Sequence, residues 1–242
     1  MLTKKLLLAA LAILLLAHSA CKKEPLTYSS GDIKVNLNVG KHWLHSYPLF
    51  LGISKLNPPQ LAIWLEDTNG RYLTSVYVTY KIARQGWIAN NGNRRKEALP
   101  HWCHQRGVLA PDGLYLPTKS APLPDGITGA TPKASKELKL TLASFSQPLV
   151  VKVEVNHSTD FNSYYTKGAS PSTPYYSGGS GGSGQRSLIY AATITPSSSQ
   201  PVTLTLVGHG SPDGSDGKIY PIDQTITSAL SIVGSITVQL TK

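Results

Sequence analysis

Gln60-Leu-Ala-Ile-Trp-Leu-Glu-Asp-Thr-Asn-Gly-Arg-Tyr-Leu-Thr-Ser-Val-Tyr-Val-Thr-Tyr80 decides the fold class. An apolar run follows the Pro58-Pro59 break and stops at Asp67-Thr-Asn-Gly70, a set of turn residues. Tyr72 and Ser75-Val-Tyr-Val-Thr-Tyr80 bring the chain back with β-branched and aromatic residues, so the two runs predict an antiparallel hairpin. Outward from it, segments of the same kind recur. Residues 32–39 alternate, with Ile33, Val35, Leu37 and Val39 on one face. Residues 138–142, 149–155, 187–194, 202–207 and 232–240 complete the series, separated by turn residues. About eight strands predict an all-β chain, an antiparallel β-sandwich (Ig-like) or a barrel with long loops. Helical candidates are residues 95–103, interrupted by Pro100, and residues 223–230. No internal repeat is evident.

The chain has 242 residues, 40% of them hydrophobic, which suffices for a buried core and excludes a disordered protein. Lys4 and Lys5 precede an apolar run over residues 6–17 that is short for a bilayer span. Ser19-Ala20-Cys21 then resembles the end of a bacterial lipoprotein signal, with His18 where that pattern prefers Leu. The resemblance implies a signal peptide over residues 1–20 and a Cys21 that is diacylated as the mature N-terminus. Cys21 would then tie the protein to membrane lipid, outside the cytoplasm, on the periplasmic side or the cell surface, with the outer membrane favoured. The plain alternative is a secretory peptide cleaved elsewhere. Residues 21–31 read as a tether and residues 32–242 as one domain. Within it, residues 168–184 read as a flexible insertion, because Ser, Gly and Pro cannot bury apolar surface.

The formal net charge is +10, carried by scattered basic residues apart from Arg94-Arg95-Lys96. No nucleic-acid module accompanies it, so an anionic membrane or cofactor is the expected use of the charge, and a surplus of solvated lysines with no role is the plainer reading. A phosphate-cradling P-loop is absent from the sequence. Asn156-His-Ser-Thr-Asp160 is too local for a catalytic triad. Cys21 and Cys103 are the only cysteines, so an acylated Cys21 leaves no disulfide. His101-Trp-Cys-His104 holds soft-metal ligand types close together, which makes His101, Cys103 and His104 candidates for metal or haem. No second His or Cys pair stands at zinc-site spacing. The simpler reading is a core Trp with hydrogen-bonded histidines.

Leu123-Pro-Asp-Gly-Ile-Thr-Gly-Ala-Thr-Pro132 carries the most chemical content. Its two glycines allow a tight turn that is expected to leave the Thr128 and Thr131 hydroxyls exposed, and prolines stiffen both ends. As Asp-x-x-Thr-Gly-Ala-Thr, the segment resembles the acceptor motif of extracytoplasmic flavoproteins with covalent FMN. The resemblance implies that a flavin transferase joins FMN to the Thr131 hydroxyl, with Asp125, Thr128, Gly129 and Ala130 as the rest of the motif. The alternative is a connecting turn, since every residue type here is common in turns. Trp64, Trp87 and Trp102 are candidates to cover a flavin ring, Trp102 foremost because its neighbours are polar. On a sandwich they are more simply core. Arg94, Arg95 and Arg106 are candidates to offset phosphate charge.

A wider resemblance covers residues 33–240. It is carried by Ala62-Ile-Trp-Leu-Glu-Asp-Thr-Asn-Gly70, Tyr77-Val-Thr79, Gly86-Trp87 and Glu97-Ala-Leu-Pro-His-Trp102. Val153-Glu-Val-Asn-His-Ser158 and Gly184-Gln-Arg-Ser-Leu-Ile-Tyr190 continue it. Together these resemble the extracytoplasmic family described as domain of unknown function 2271. That resemblance implies a setting with flavin transferases and PepSY-type membrane reductases, often linked to iron uptake, but no settled activity. Three classes of function follow as expectations. The first is an electron-transfer flavoprotein with FMN on Thr131, the second a metal or haem module, and the third a cofactor-free lipoprotein that binds a membrane partner.

Overall fold

The computed structural model describes residues 33–48, 51–85, 94–123, 127–140 and 145–241. Asp125, Trp87 and Cys21, together with the whole leader and the proposed tether up to residue 32, lie outside them. The strands are β1 (Ile33–Val39), β2 (His45–Pro48), β3 (Ser54–Asn57), β4 (Gln60–Asp67), β5 (Tyr72–Thr79) and β6 (Ile127–Gly129). They continue with β7 (Lys136–Leu140), β8 (Leu149–Asn156), β9 (Leu188–Ile194), β10 (Val202–Thr203), β11 (Thr205–His209) and β12 (Val233–Leu240). Among the described residues, helix is confined to α1 (Tyr80–Ala83), α2 (Pro100–Gln105) and short 3-10 turns.

Two open sheets face each other, in orders β10-β12-β1-β7 and β11-β9-β8-β4-β5-β6, with β2-β3 as a separate ribbon. The sandwich expectation holds and no barrel closes. All pairings are antiparallel except β5 with β6, which is parallel. Ile33, Val35 and Leu37 from one sheet meet Leu61, Ile63, Val151 and Val153 from the other in the main core. The period-2 alternation of these strands puts one apolar set on that face.

The far face of the larger sheet is buried too. Ala62, Trp64, Val78 and Ile189 form a second core with Ile82 and Ala83 of α1 and Leu99, Trp102 and Cys103 around α2. Hence Gln60 to Leu65 of β4 are buried without a break, as expected of a strand covered on both sides. The run 202–207 divides at Leu204, whose buried side chain lies between β10 in one sheet and β11 in the other. Helix over 95–103 starts only at Pro100, which suits a first helical position but bars a helix from running through it. The second helical candidate is reduced to a 3-10 turn over Ser228–Ser231.

The Ser/Gly-rich stretch corrects the sequence reading. Ser177 and Ser183 are buried, and Gly182 and Ser183 carbonyls accept the Thr159 and Asp160 amides at 2.8 and 2.9 Å. Small residues allow the backbone itself to pack here. Gly184 takes φ +79, and any Cβ there would collide with the Asp160 carbonyl.

Candidate functional site

The acceptor-like motif lies at an edge. Among the described residues β6 pairs with β5 alone, Tyr77↔Ile127 to Thr79↔Gly129, and stands last in the larger sheet. The next three residues are fixed one by one. Tyr77 Oη donates to the Ala130 carbonyl at 3.1 Å and Trp43 Nε1 to the Pro132 carbonyl at 2.7 Å. Between them Thr131 turns inward and is only 6% exposed. Its hydroxyl donates to the Pro59 carbonyl at 2.8 Å and meets the Thr79 hydroxyl at 2.8 Å. Thr79 Oγ1 in turn accepts the Leu61 amide at 2.8 Å. The Thr131 donor is committed to Pro59, so the proton shared with Thr79 belongs to Thr79. A buried relay thus runs from the Leu61 amide through two hydroxyls to the Pro59 carbonyl. The expected exposed Thr131 hydroxyl is corrected, because Thr131 fills the gap between the ends of β4 and β5. Gly129 and Ala130 stay at the rim, half-buried and exposed.

Trp102 does not face solvent. It is fully buried in the second core, and its Nε1 donates to Ser75 Oγ at 2.8 Å. The Arg106 guanidinium lies 5.0 Å from its ring centre. Trp64 is equally buried and donates to Glu66 Oε1 at 2.8 Å. These tryptophans are core residues.

His101, Cys103 and His104 diverge. The His101 Nδ1–H donates to the Gly217 carbonyl at 2.6 Å, and Nε2 accepts from Lys152 Nζ at 3.1 Å. Burial, with Lys152 beside it, lowers the His101 pKa to about 4, so the ring is neutral and both nitrogens are occupied. Cys103 is packed in the second core, where burial pushes its thiol well above the usual range. His104 leans on Tyr115 with ring centres 4.3 Å apart. Among the described residues, no group of three His, Cys, Asp or Glu side chains is placed to hold a metal ion.

What the sequence reading missed is a buried polar centre over the far face of the larger sheet. Glu154, at 0% exposure, accepts from the Trp102 amide at 2.7 Å, the His101 amide at 3.3 Å and Ser187 Oγ at 2.5 Å. It therefore satisfies the first amides of α2 from a neighbouring strand. Burial pushes this carboxyl up to about 7, against the pull of those hydrogen bonds and of Lys152. Glu66, also buried, pairs with Lys152 at 2.9 Å. The signal was present in Val151-Lys-Val-Glu-Val155, but alternation reads Lys152 and Glu154 as a solvent face. Only the layer built by α1 and α2 makes that face internal.

Cations gather near the motif edge. Partial burial lowers the Lys81 pKa, and the charges of Lys55 and Arg95 lower it further, so β3, α1 and the approach to α2 place positive charge together. Arg95 also pairs with Glu97 at 3.1 Å and donates to Ser158. Arg94 pairs with Asp112. Compared with protein-family models, curated proteins and solved structures, the chain matches none.

Proposed function

We propose that this protein is an extracytoplasmic electron carrier that bears FMN covalently on Thr131 and is held to the membrane through an acylated Cys21. The observation that carries the reading is the Asp125-to-Thr131 sequence motif, whose described part, residues 127–131, lies at an edge of the larger sheet. Here β6 is only three residues long and is paired on one side, so the segment is the cheapest part of the sheet to detach. Residue identity and edge position suit a transferase that must reach a hydroxyl. The inward Thr131 hydroxyl sets a condition. Ala130, Thr131 and Pro132 must leave their hydrogen bonds before the oxygen can attack the flavin-side phosphorus of a flavin dinucleotide, the nucleoside monophosphate leaving and the hydroxyl proton going to solvent, and the Pro59 carbonyl then loses its donor. Bound flavin would supply the redox chemistry, and the chain would supply its position and local charge. The donor class that the resemblance implies is a PepSY-type membrane reductase.

The buried hydroxyl also favours a second reading, a cofactor-free accessory lipoprotein in which the motif is a structural tie. One experiment separates the two. Coexpressed with a flavin transferase, the protein gives a fluorescent band on a denaturing gel and gains the mass of FMN less water. Thr131→Ala abolishes both, Thr128→Ala retains label, and Asp125→Ala weakens it. An unlabelled wild-type chain beside an active transferase and a labelled control protein sinks the flavin reading and leaves the cofactor-free one.

A further inference from the structure

The β2-β3 ribbon belongs to neither large sheet, and its own pairing runs from His45↔Asn57 to Pro48↔Ser54. Its base is fixed, since His45 Nε2 donates to the Thr159 carbonyl at 3.1 Å and the His45 ring lies 5.3 Å from that of His157. Its turn and its return strand carry apolar residues open to solvent. Leu51 is 90% exposed, Ile53 54% and Leu56 57%. Isolated exposed apolar residues are ordinary, but three within six residues on one two-stranded ribbon stand out. Leu51 also takes φ 51, beside Gly52 at φ 73. A leucine in the left-handed region is strained where Gly or Asn would largely not be. The position therefore carries an apolar side chain at the expense of folding.

Lys55 stands between Ile53 and Leu56 and is exposed, and Lys81 of α1 lies within the field of Lys55 and of Arg95. We propose that this ribbon is a membrane-docking element that seats on an anionic phospholipid surface, with Leu51, Ile53 and Leu56 in the acyl boundary and Lys55 and Lys81 against the phosphates. Charge selects the occupant. A second copy would bring the same cations face to face, whereas an anionic bilayer offers apolar depth and negative charge together. The inference does not depend on flavin.

The geometry also fits an anchor at Cys21. Residues 21–32 reach at most about 40 Å, while β1 rises about 23 Å over its seven residues and a four-residue ribbon strand about 13 Å more. The tether can therefore run back past the sandwich to the same bilayer. A docked chain presents the ribbon to the lipid, and a chain hanging loosely from its tether presents the opposite end, where Val202 pairs with Val238 near Leu240.

The test places an environment-sensitive NBD dye on Leu51→Cys or on Ser197→Cys, an exposed site in the connection at that opposite end. The full chain is reconstituted in vesicles of phosphatidylcholine with phosphatidylglycerol, or of phosphatidylcholine alone. Cys103 is buried, and the unsubstituted chain carried through the same labelling is the blank. Docking predicts a blue shift and several-fold brighter emission at position 51 only, reduced without anionic lipid and by Lys55→Glu with Lys81→Glu. Equal emission at both positions, or a shift indifferent to lipid charge and to the lysine variants, overturns the proposal. A shift that grows with protein concentration in the absence of vesicles assigns the ribbon to a second copy and overturns it as well.

Discussion

Thr131→Val tests the relay that closes the motif edge. Valine nearly matches threonine in volume, so the substitution leaves little cavity and isolates the hydroxyl. The Pro59 carbonyl loses the donor it holds at 2.8 Å, while the Thr79 hydroxyl can turn to the Leu61 carbonyl at 3.1 Å. One buried acceptor is therefore orphaned rather than two groups, which sets the loss at about 1–2 kcal/mol. In a domain of this size that corresponds to a fall in Tm of roughly 3–6 °C. Thr79→Val costs more, about 2–3 kcal/mol, because the Leu61 amide also loses its acceptor. Urea unfolding of both single variants and the double variant gives a coupling of about 1 kcal/mol if the hydroxyls meet. A Thr131→Val chain as stable as the unsubstituted one, or additive losses, would refute the inward hydroxyl. Under the flavin reading, Thr79→Val also labels faster, since it loosens what holds Thr131 in place.

Stability should depend on pH with opposing signs. His101 and His157 are held to about 4 mainly by burial, so below the ordinary 6.5 the unfolded chain takes up protons that the fold excludes. Stability is full above pH 6.5 and falls toward pH 4, on the order of 3 kcal/mol for each histidine. Glu154, raised from 4.5 to about 7, acts oppositely and favours the fold as pH drops through that window, so Glu154→Gln steepens the acid loss in urea melts. An unchanged slope would discredit its raised pKa. Gly184→Ala, at φ +79 against the Asp160 carbonyl, should cost more than about 2 kcal/mol, and a neutral result in thermal melts would mean that the Ser/Gly stretch is not packed. Cys21→Ser should move most of the protein from the membrane to the soluble fraction, because a docking ribbon alone is a weak anchor. Retention in the pellet would count against acylation.

Most of the fold was legible in local pattern. The hairpin from Gln60 to Thr79 and the alternation of β1, β8 and β12 need only neighbouring residues to be read. β6 was hidden because three residues cannot show a period, and it joins by a parallel pairing with β5 across a long connection. β2 and β3 were hidden because apolar residues stand on a ribbon with no core to face, which breaks the rule that alternation reports. The candidate site was legible as a motif but not as a geometry. Nothing in Thr-Gly-Ala-Thr tells that Pro59 and Thr79 lie in wait for the last hydroxyl. Trp102 and Glu154 misled for one reason, since the layer over the far face is made of loops and two short helices whose packing leaves no periodic trace.

Pairing the first described strand with the last has a kinetic meaning. β1 lies between β12 and β7, and Asn36 faces Thr237 across a separation of 201 residues. A chain emerging progressively from a ribosome or a translocation channel can close the β4-β5 hairpin early. It cannot shelter Ile33, Val35 and Leu37 until nearly all of its length is out. The rate-determining event is then the meeting of distant segments, which is slow in β topologies of high contact order. Until it happens the apolar edge of β1 is open to any other strand, so a chaperone or crowding of unfinished chains governs the yield more than final stability does.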